Sequence, residues 1–361
     1  MRIVALATVL SLALLSASCV DREPLAPSLA SGPSAESRNA LIPAVQEVLG
    51  ETGEGALYAM YVPEAWNGSL VLYAHGYNSS DEPLTLDDEN LAEIRNGLNE
   101  LGYAVAYSSW SENGWAVLDG IQRTHQLVGL FTARFETPAR VYLIGRSLGS
   151  LVVTSLAETH PEQYDGVLPV CAFLGGGQAF ADYISNIRLL FNLYYPGMLP
   201  GDPLGSPPLG AGTMLGLAKT AMKADIAGAG HIADAMVVIG MPVPVVPGQP
   251  ATLIGSILTA LGYFLAGRDA LVARTHGQFI QRAYQPTGRL RMPMVALENA
   301  FDPVAAGFHR DRYEQLLGET GAADLFARIT LPSYDHCPDT AGPTISAFQE
   351  LVTWVETGIR P

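Results

Sequence analysis

The chain has 361 residues, 48% of them hydrophobic and 15% charged, enough to bury the core of one large domain or two smaller ones. Twenty basic side chains face 35 acidic ones, a formal charge of −15 with no basic patch, which argues against a nucleic-acid partner. No Cys/His cluster with zinc spacing and no phosphate-binding glycine loop occurs, so neither a metal nor a cofactor is expected.

The first 18 residues read as an export signal: Arg2, then an apolar run over 3–15 that is too short to span a membrane. Ser16-Ala17-Ser18-Cys19 is similar to a bacterial lipoprotein cleavage site, which makes Cys19 a candidate for lipidation and membrane attachment. Ordinary cleavage after Ser18 fits the small-residue rule equally well, and both readings export the protein. Residues 19–45, rich in Pro, Ser and Ala, read as a tether. Only Cys171 and Cys337 then remain, in a compartment that permits disulfides. One bridge and two separate buried thiols are both open at this point.

From residue 46 strands and helices alternate. Residues 57–62 and 69–74 are strand-like, and Asn67-Gly68 between them suits a hairpin turn. A helix over 89–101 stops at Gly102, and a strand over 103–108 precedes a helix over 116–134. The acidic residues Asp87, Asp88 and Glu89 fit a solvated helix N-terminus. A strand over 140–144, a helix over 148–160 and a strand over 166–172 follow. This alternation predicts parallel strands joined by right-handed crossovers and covered by helices on both faces. Residues 174–290, rich in Gly, Ala and Pro, hold few strands and read as a mainly helical cap, entered through Gly175-Gly176-Gly177 as a hinge. Strand, helix, strand, helix resume at 292–297, 308–317, 327–333 and 345–357. The core is thus assigned to 46–173 and 291–361.

Gly145-Arg146-Ser147-Leu148-Gly149 sits between an apolar strand and an apolar helix, the setting of a nucleophile elbow. A serine hydroxyl attacks only if a base takes its proton and an acid holds that base in the correct tautomer. His336, on the loop between the last strand and the last helix, is the candidate base. His125 and His160 read as packing or capping residues. His231, His276 and His309 carry no partner signal, and substrate contact is kept open for the first two. Asp302, on the loop leaving the strand at 292–297, is the candidate acid, with Glu298 as runner-up. Asp335 adjoins His336 but points away from it if the loop is extended. The loop after residue 74, Ala74-His75-Gly76-Tyr77, places the N–H of Tyr77 where it joins that of Leu148 as an oxyanion hole, with His75 as a brace. Phe191, Tyr194 and Tyr195 either line an acyl or aryl pocket or pack within the cap.

Together the elbow, the His-Gly loop, the Asp-x-Val loop and the late histidine resemble the α/β-hydrolase superfamily over about residues 57–355, with the cap inserted after the sixth strand. The resemblance implies acyl transfer through Ser147, His336 and Asp302, without a cofactor, on a small or polymeric ester with an apolar acyl or aryl part. His336-Cys337 also resembles the tannase and feruloyl esterase group, in which a cysteine beside the histidine bridges to one beside the serine. Here Arg146 precedes the serine, so the motif is half present, and a Cys171–Cys337 bridge serves the same end. A peptidase or amidase on the same scaffold is the alternative enzyme; a non-catalytic binding protein that keeps the fold is the alternative of another class.

Overall fold

The computed structural model describes residues 45–53, 55–88, 90–276, 284–338 and 340–361. The signal over 1–18, Cys19 and the tether up to residue 44 lie outside these. Eight strands form one sheet in the order β1-β2-β4-β3-β5-β6-β7-β8. They are β1 (Val45–Thr52), β2 (Ala56–Pro63), β3 (Ser69–Ala74), β4 (Ala104–Trp110), β5 (Arg140–Arg146), β6 (Gly166–Val170), β7 (Met294–Phe301) and β8 (Phe326–Tyr334). The β1/β2 and β2/β4 pairs are antiparallel, and every other pair is parallel.

The helices are α1 (Leu91–Glu100), α2 (Val117–Arg134), α3 (Leu148–Thr159), α4 (Gly176–Tyr194), α5 (Ala211–Ala224), α6 (Ile226–Val238), α7 (Ala251–His276), α8 (Phe308–Thr320) and α9 (Ala341–Thr357). Side chains alternate across each strand, so each central strand feeds two cores. Leu70, Leu72, Val141 and Leu143 join the apolar cluster that holds α2, α3 and α8; Val71, Tyr73, Tyr142 and Ile144 join the one that holds α1 and α9. Burial on both faces is what the unbroken apolar runs require. Among the described residues four helices, α4 to α7, lie between β6 and β7, and α4 packs along α7 and α6. Among the described residues no helix is long and apolar enough to cross a membrane.

One expectation is corrected. Asn67-Gly68 does turn the chain, with Gly68 at φ 85° and the Asn67 side chain accepting the Ser69 N–H at 2.9 Å. It does not close a hairpin, because β2 pairs with β1 and β4 while β3 lies beyond β4. The hairpin is β1–β2, with Thr52 opposite Ala56. A two-residue turn signal specifies a change of direction; which strands pair afterwards is decided by the burial of β3 in the middle of the sheet. Strand β1 escaped notice because its burial alternates poorly, with Val48 its one buried side chain.

Candidate active site

The elbow is shaped by its two glycines. A Cβ at Gly149 would lie 2.1 Å from the Ala74 carbonyl oxygen, and one at Gly145 would lie 2.3 Å from that of Gly149. No other residue fits either position without moving backbone. Ser147 between them has φ 52° and ψ −116°, a strained conformation that projects its side chain from the tip of β5. Its N–H donates to the Val170 carbonyl at 2.9 Å, which fixes the elbow to β6.

Three distant segments meet here. Ser147 Oγ lies 2.7 Å from His336 Nε2, and His336 Nδ1 lies 2.9 Å from Asp302 Oδ2 and 3.0 Å from Oδ1. Asp302 is 2% exposed, and its Oδ1 also accepts the N–H groups of Val304 and Ala305 at 2.8 and 2.9 Å. The carboxylate is therefore held in place before it meets the imidazole. Glu298, the runner-up, is engaged elsewhere: it pairs with Arg310 at 3.2 Å and accepts the Thr330 hydroxyl at 3.1 Å. Asp335 turns its carboxylate onto the backbone N–H of His336 at 2.8 Å.

Cys171, directly after β6, and Cys337 form a disulfide. It ties the residue after His336 to the strand beside the elbow, and Cys337 Sγ lies 4.0 Å from His336 Nε2. On the other side of the serine, a Cβ at Gly76 would touch Ser147 Cβ at 3.5 Å, so the loop that carries Tyr77 rests against the elbow. Leu148 opens α3 immediately behind Ser147. His75 is buried and stacks on Trp110 at 3.7 Å between centroids; its Nδ1 faces the Gly76 carbonyl at 2.7 Å and its Nε2 that of Ser109 at 3.3 Å. Burial lowers its pKa against the opposing pull of Asp88 and the two carbonyls.

Two contacts were not foreseen. Asp88 is not solvated: it accepts the Tyr73 hydroxyl at 2.6 Å and pairs with Arg146, the residue before Ser147, at 3.6 Å. Tyr334, two residues before His336, reaches the insertion between β6 and β7, donating to the Thr252 carbonyl on α7 at 3.3 Å. Nothing in the local sequence of either residue signals a partner so distant in the chain.

Above the triad lies an aromatic wall. The Phe173 ring is 5.9 Å from His336 and 4.8 Å from Phe180 of α4, and Phe180 is 5.5 Å from Tyr263 of α7. Trp115 and Tyr77, 5.3 Å apart, continue it. The Tyr263 hydroxyl is pushed up to about 12, first by burial and then by the Asp302 charge, and stays protonated. Phe191 and Tyr195 instead stack on each other within the insertion, and Tyr194 stacks on His231. His125 bonds Tyr164 at 2.7 Å and stacks on His160, away from the serine. His276 closes α7. A cavity of about 710 Å³ at the far end of α3, lined by Glu158, Gln285, Thr287 and Arg289 among others, contains none of the triad.

His309 is fully buried, 5.8 Å from Phe173, and neither ring nitrogen finds a partner among the described residues. It packs so closely on Gly175 that a Cβ there would lie 2.7 Å from Nδ1, so close packing requires the glycine before α4. Burial lowers the His309 pKa from 6.5 to about 3. Between those values the unfolded chain binds the proton that the folded one refuses, so this histidine's contribution is complete above about pH 6.5 and is lost as pH falls toward 3. The expected result is that His309→Leu is less acid-sensitive than the parent. Urea unfolding at pH 7 and pH 4.5 should show the parent losing roughly 2–3 kcal/mol more than the variant between the two; equal losses would mean that His309 titrates normally.

The strand order, the parallel register from β3 to β8 and the helices on both faces match solved structures over most of the chain. An esterase from Aspergillus oryzae superposes with a TM-score of 0.54 and 13% identity, over 88% of this chain and 81% of that one. Feruloyl esterase B from Aspergillus oryzae gives 0.53 and 12%, over 88% and 80%. The chain has the α/β-hydrolase fold. No protein-family model matches the sequence, and no curated protein does. In this fold Ser147 sits after β5, Asp302 after β7 and His336 after β8, at the carboxyl ends of parallel strands where such sheets place their ligands.

Proposed function

We propose that the chain is an exported serine esterase acting on carboxylic esters with an apolar acyl or aryl part. The observation that carries this is the unbroken relay from Ser147 Oγ through His336 to Asp302. His336 Nε2 accepts the Ser147 proton as Oγ bonds to the acyl carbon, and the carbonyl oxygen takes up the negative charge. The N–H groups of Leu148 and Tyr77 stabilise that oxyanion, and each such donor contributes about 3–4 kcal/mol to the transition state. The C–O bond then breaks, the leaving alkoxide takes the proton from His336, and a water repeats the sequence to release the acid and free serine. Asp302 keeps Nδ1 protonated and Nε2 available throughout. The rings of Tyr77, Trp115, Phe173, Phe180 and Tyr263 support an apolar substrate part. The disulfide supports an oxidising destination, and residues 174–290 serve as the cap.

A panel of p-nitrophenyl esters and aminoacyl-p-nitroanilides tests the reading. Turnover of butyrate and benzoate esters at rates far above the anilides is the expected result. Prompt anilide cleavage with negligible ester cleavage would replace the esterase by a peptidase.

A further inference from the structure

The disulfide fastens the residue after His336, and Asp302 fastens its ring; the residue before it is fastened by a side chain that neither mechanism nor motif uses. Asn299 lies in β7, three residues before Asp302, and is 6% exposed. Its Oδ1 accepts the Ser333 hydroxyl at 2.7 Å, and its Nδ2 donates to the Asp335 carbonyl at 3.3 Å. The same Nδ2 lies 3.9 Å from Cys171 Sγ. One amide thus grips the end of β8 on both sides of Tyr334 and reaches the bridge that holds Cys337.

The side chain acts where the ladder is irregular. The β7/β8 register shifts between Asn299, opposite Leu331, and Phe301, opposite Tyr334, so β8 carries one extra residue against β7 just before the histidine loop. The loop itself is strained. Asp335 has φ 97° and Cys337 φ 52°, so His336 is flanked by two non-glycine residues in the left-handed region. Such conformations persist only where neighbouring contacts over-determine them. We infer that Asn299 is a positioning residue for the catalytic histidine, its Nδ2–H···O=C bond to Asp335 setting the loop so that Nε2 meets Ser147 Oγ. This rests on the serine-hydrolase reading. Because one strand end supplies both the acid and this clamp, Asn299 and Asp302 fix the ring and its backbone to the same frame.

The test uses the whole mature chain, assayed well below the unfolding temperature of each variant, with p-nitrophenyl butyrate turnover and the rate of labelling by a fluorophosphonate probe. Asn299→Ala should lower kcat roughly 10–100-fold, the loss expected of an ångström-scale misplacement, with KM within about twofold and labelling slowed by the same factor. Asn299→Asp keeps the shape and the acceptor for Ser333 but loses the donor, and should fall as far. Ser333→Ala keeps the donor and should stay within about threefold of the parent. A purely structural amide would lower the unfolding temperature and leave kcat of the folded enzyme alone; kcat within twofold of the parent in both Asn299 variants overturns the inference, as does a loss carried wholly by KM. Parent chain that fails to label, or Ser147→Ala that labels normally, removes the serine-hydrolase reading and this inference with it.

Discussion

Ser147→Ala and His336→Ala should each lower kcat for ester hydrolysis roughly a millionfold, and the double variant should be no slower than either. The relay acts as one unit, so removing the nucleophile leaves the base nothing to activate, and removing the base leaves a hydroxyl that does not ionise at neutral pH. What survives is the roughly thousandfold-or-more acceleration that oxyanion donors and binding supply without a nucleophile. The contact that makes the two inseparable is the 2.7 Å pair between Oγ and Nε2. Fluorophosphonate labelling separates this result from misfolding, because the parent should label at Ser147 while both variants keep the parent's far-ultraviolet spectrum and do not label. Independent, additive losses in a folded double variant would mean that the serine and histidine work on different steps.

What could be read from the chain alone divides by range. The elbow was legible because its chemistry is local: the glycines at 145 and 149 are demanded by backbone oxygens within a few residues or on the neighbouring strand, and strand and helix flank them directly. That Ser147, Asp302 and His336 each follow a strand was legible because a parallel sheet delivers successive strand ends to one edge, while their order is what the resemblance implies. The hairpin at Asn67-Gly68 was misread because turn chemistry is local and strand pairing is not. Asp88 was read as solvated for a related reason: its neighbours Asp87 and Glu89 are also acidic, and the partner that draws it inward, Arg146, is 58 positions away on the elbow. Asn299 and Tyr334 went unnoticed because a lone amide or phenol in a strand has no spacing to betray it; only the approach of β8, or of α7, gives either a function.

Asp302→Asn should cost about 10⁴ in kcat while Glu298→Gln costs less than twofold, and this pair of variants decides which acid completes the relay. The carboxylate at 302 receives donors only: Val304 and Ala305 N–H on Oδ1, and His336 Nδ1–H on both oxygens. A carboxamide cannot reproduce that set. With its oxygen kept on the two backbone N–H groups, its NH₂ faces Nδ1 and makes that nitrogen the acceptor. The imidazole proton then moves to Nε2, where it points at Ser147 and can no longer accept a proton from it. Geometry survives and the base does not, so KM should change little while kcat collapses. Glu298→Gln instead breaks an ion pair with Arg310 whose side chains are 13% and 24% exposed, and its effect belongs in stability, about 1 kcal/mol by chemical unfolding. Steady-state kinetics on the two variants, with thermal unfolding alongside, read both outcomes. A Glu298→Gln enzyme as slow as Asp302→Asn would move the acid back inside β7, to Glu298, and require His336 to turn its ring away from the carboxylate that now holds it.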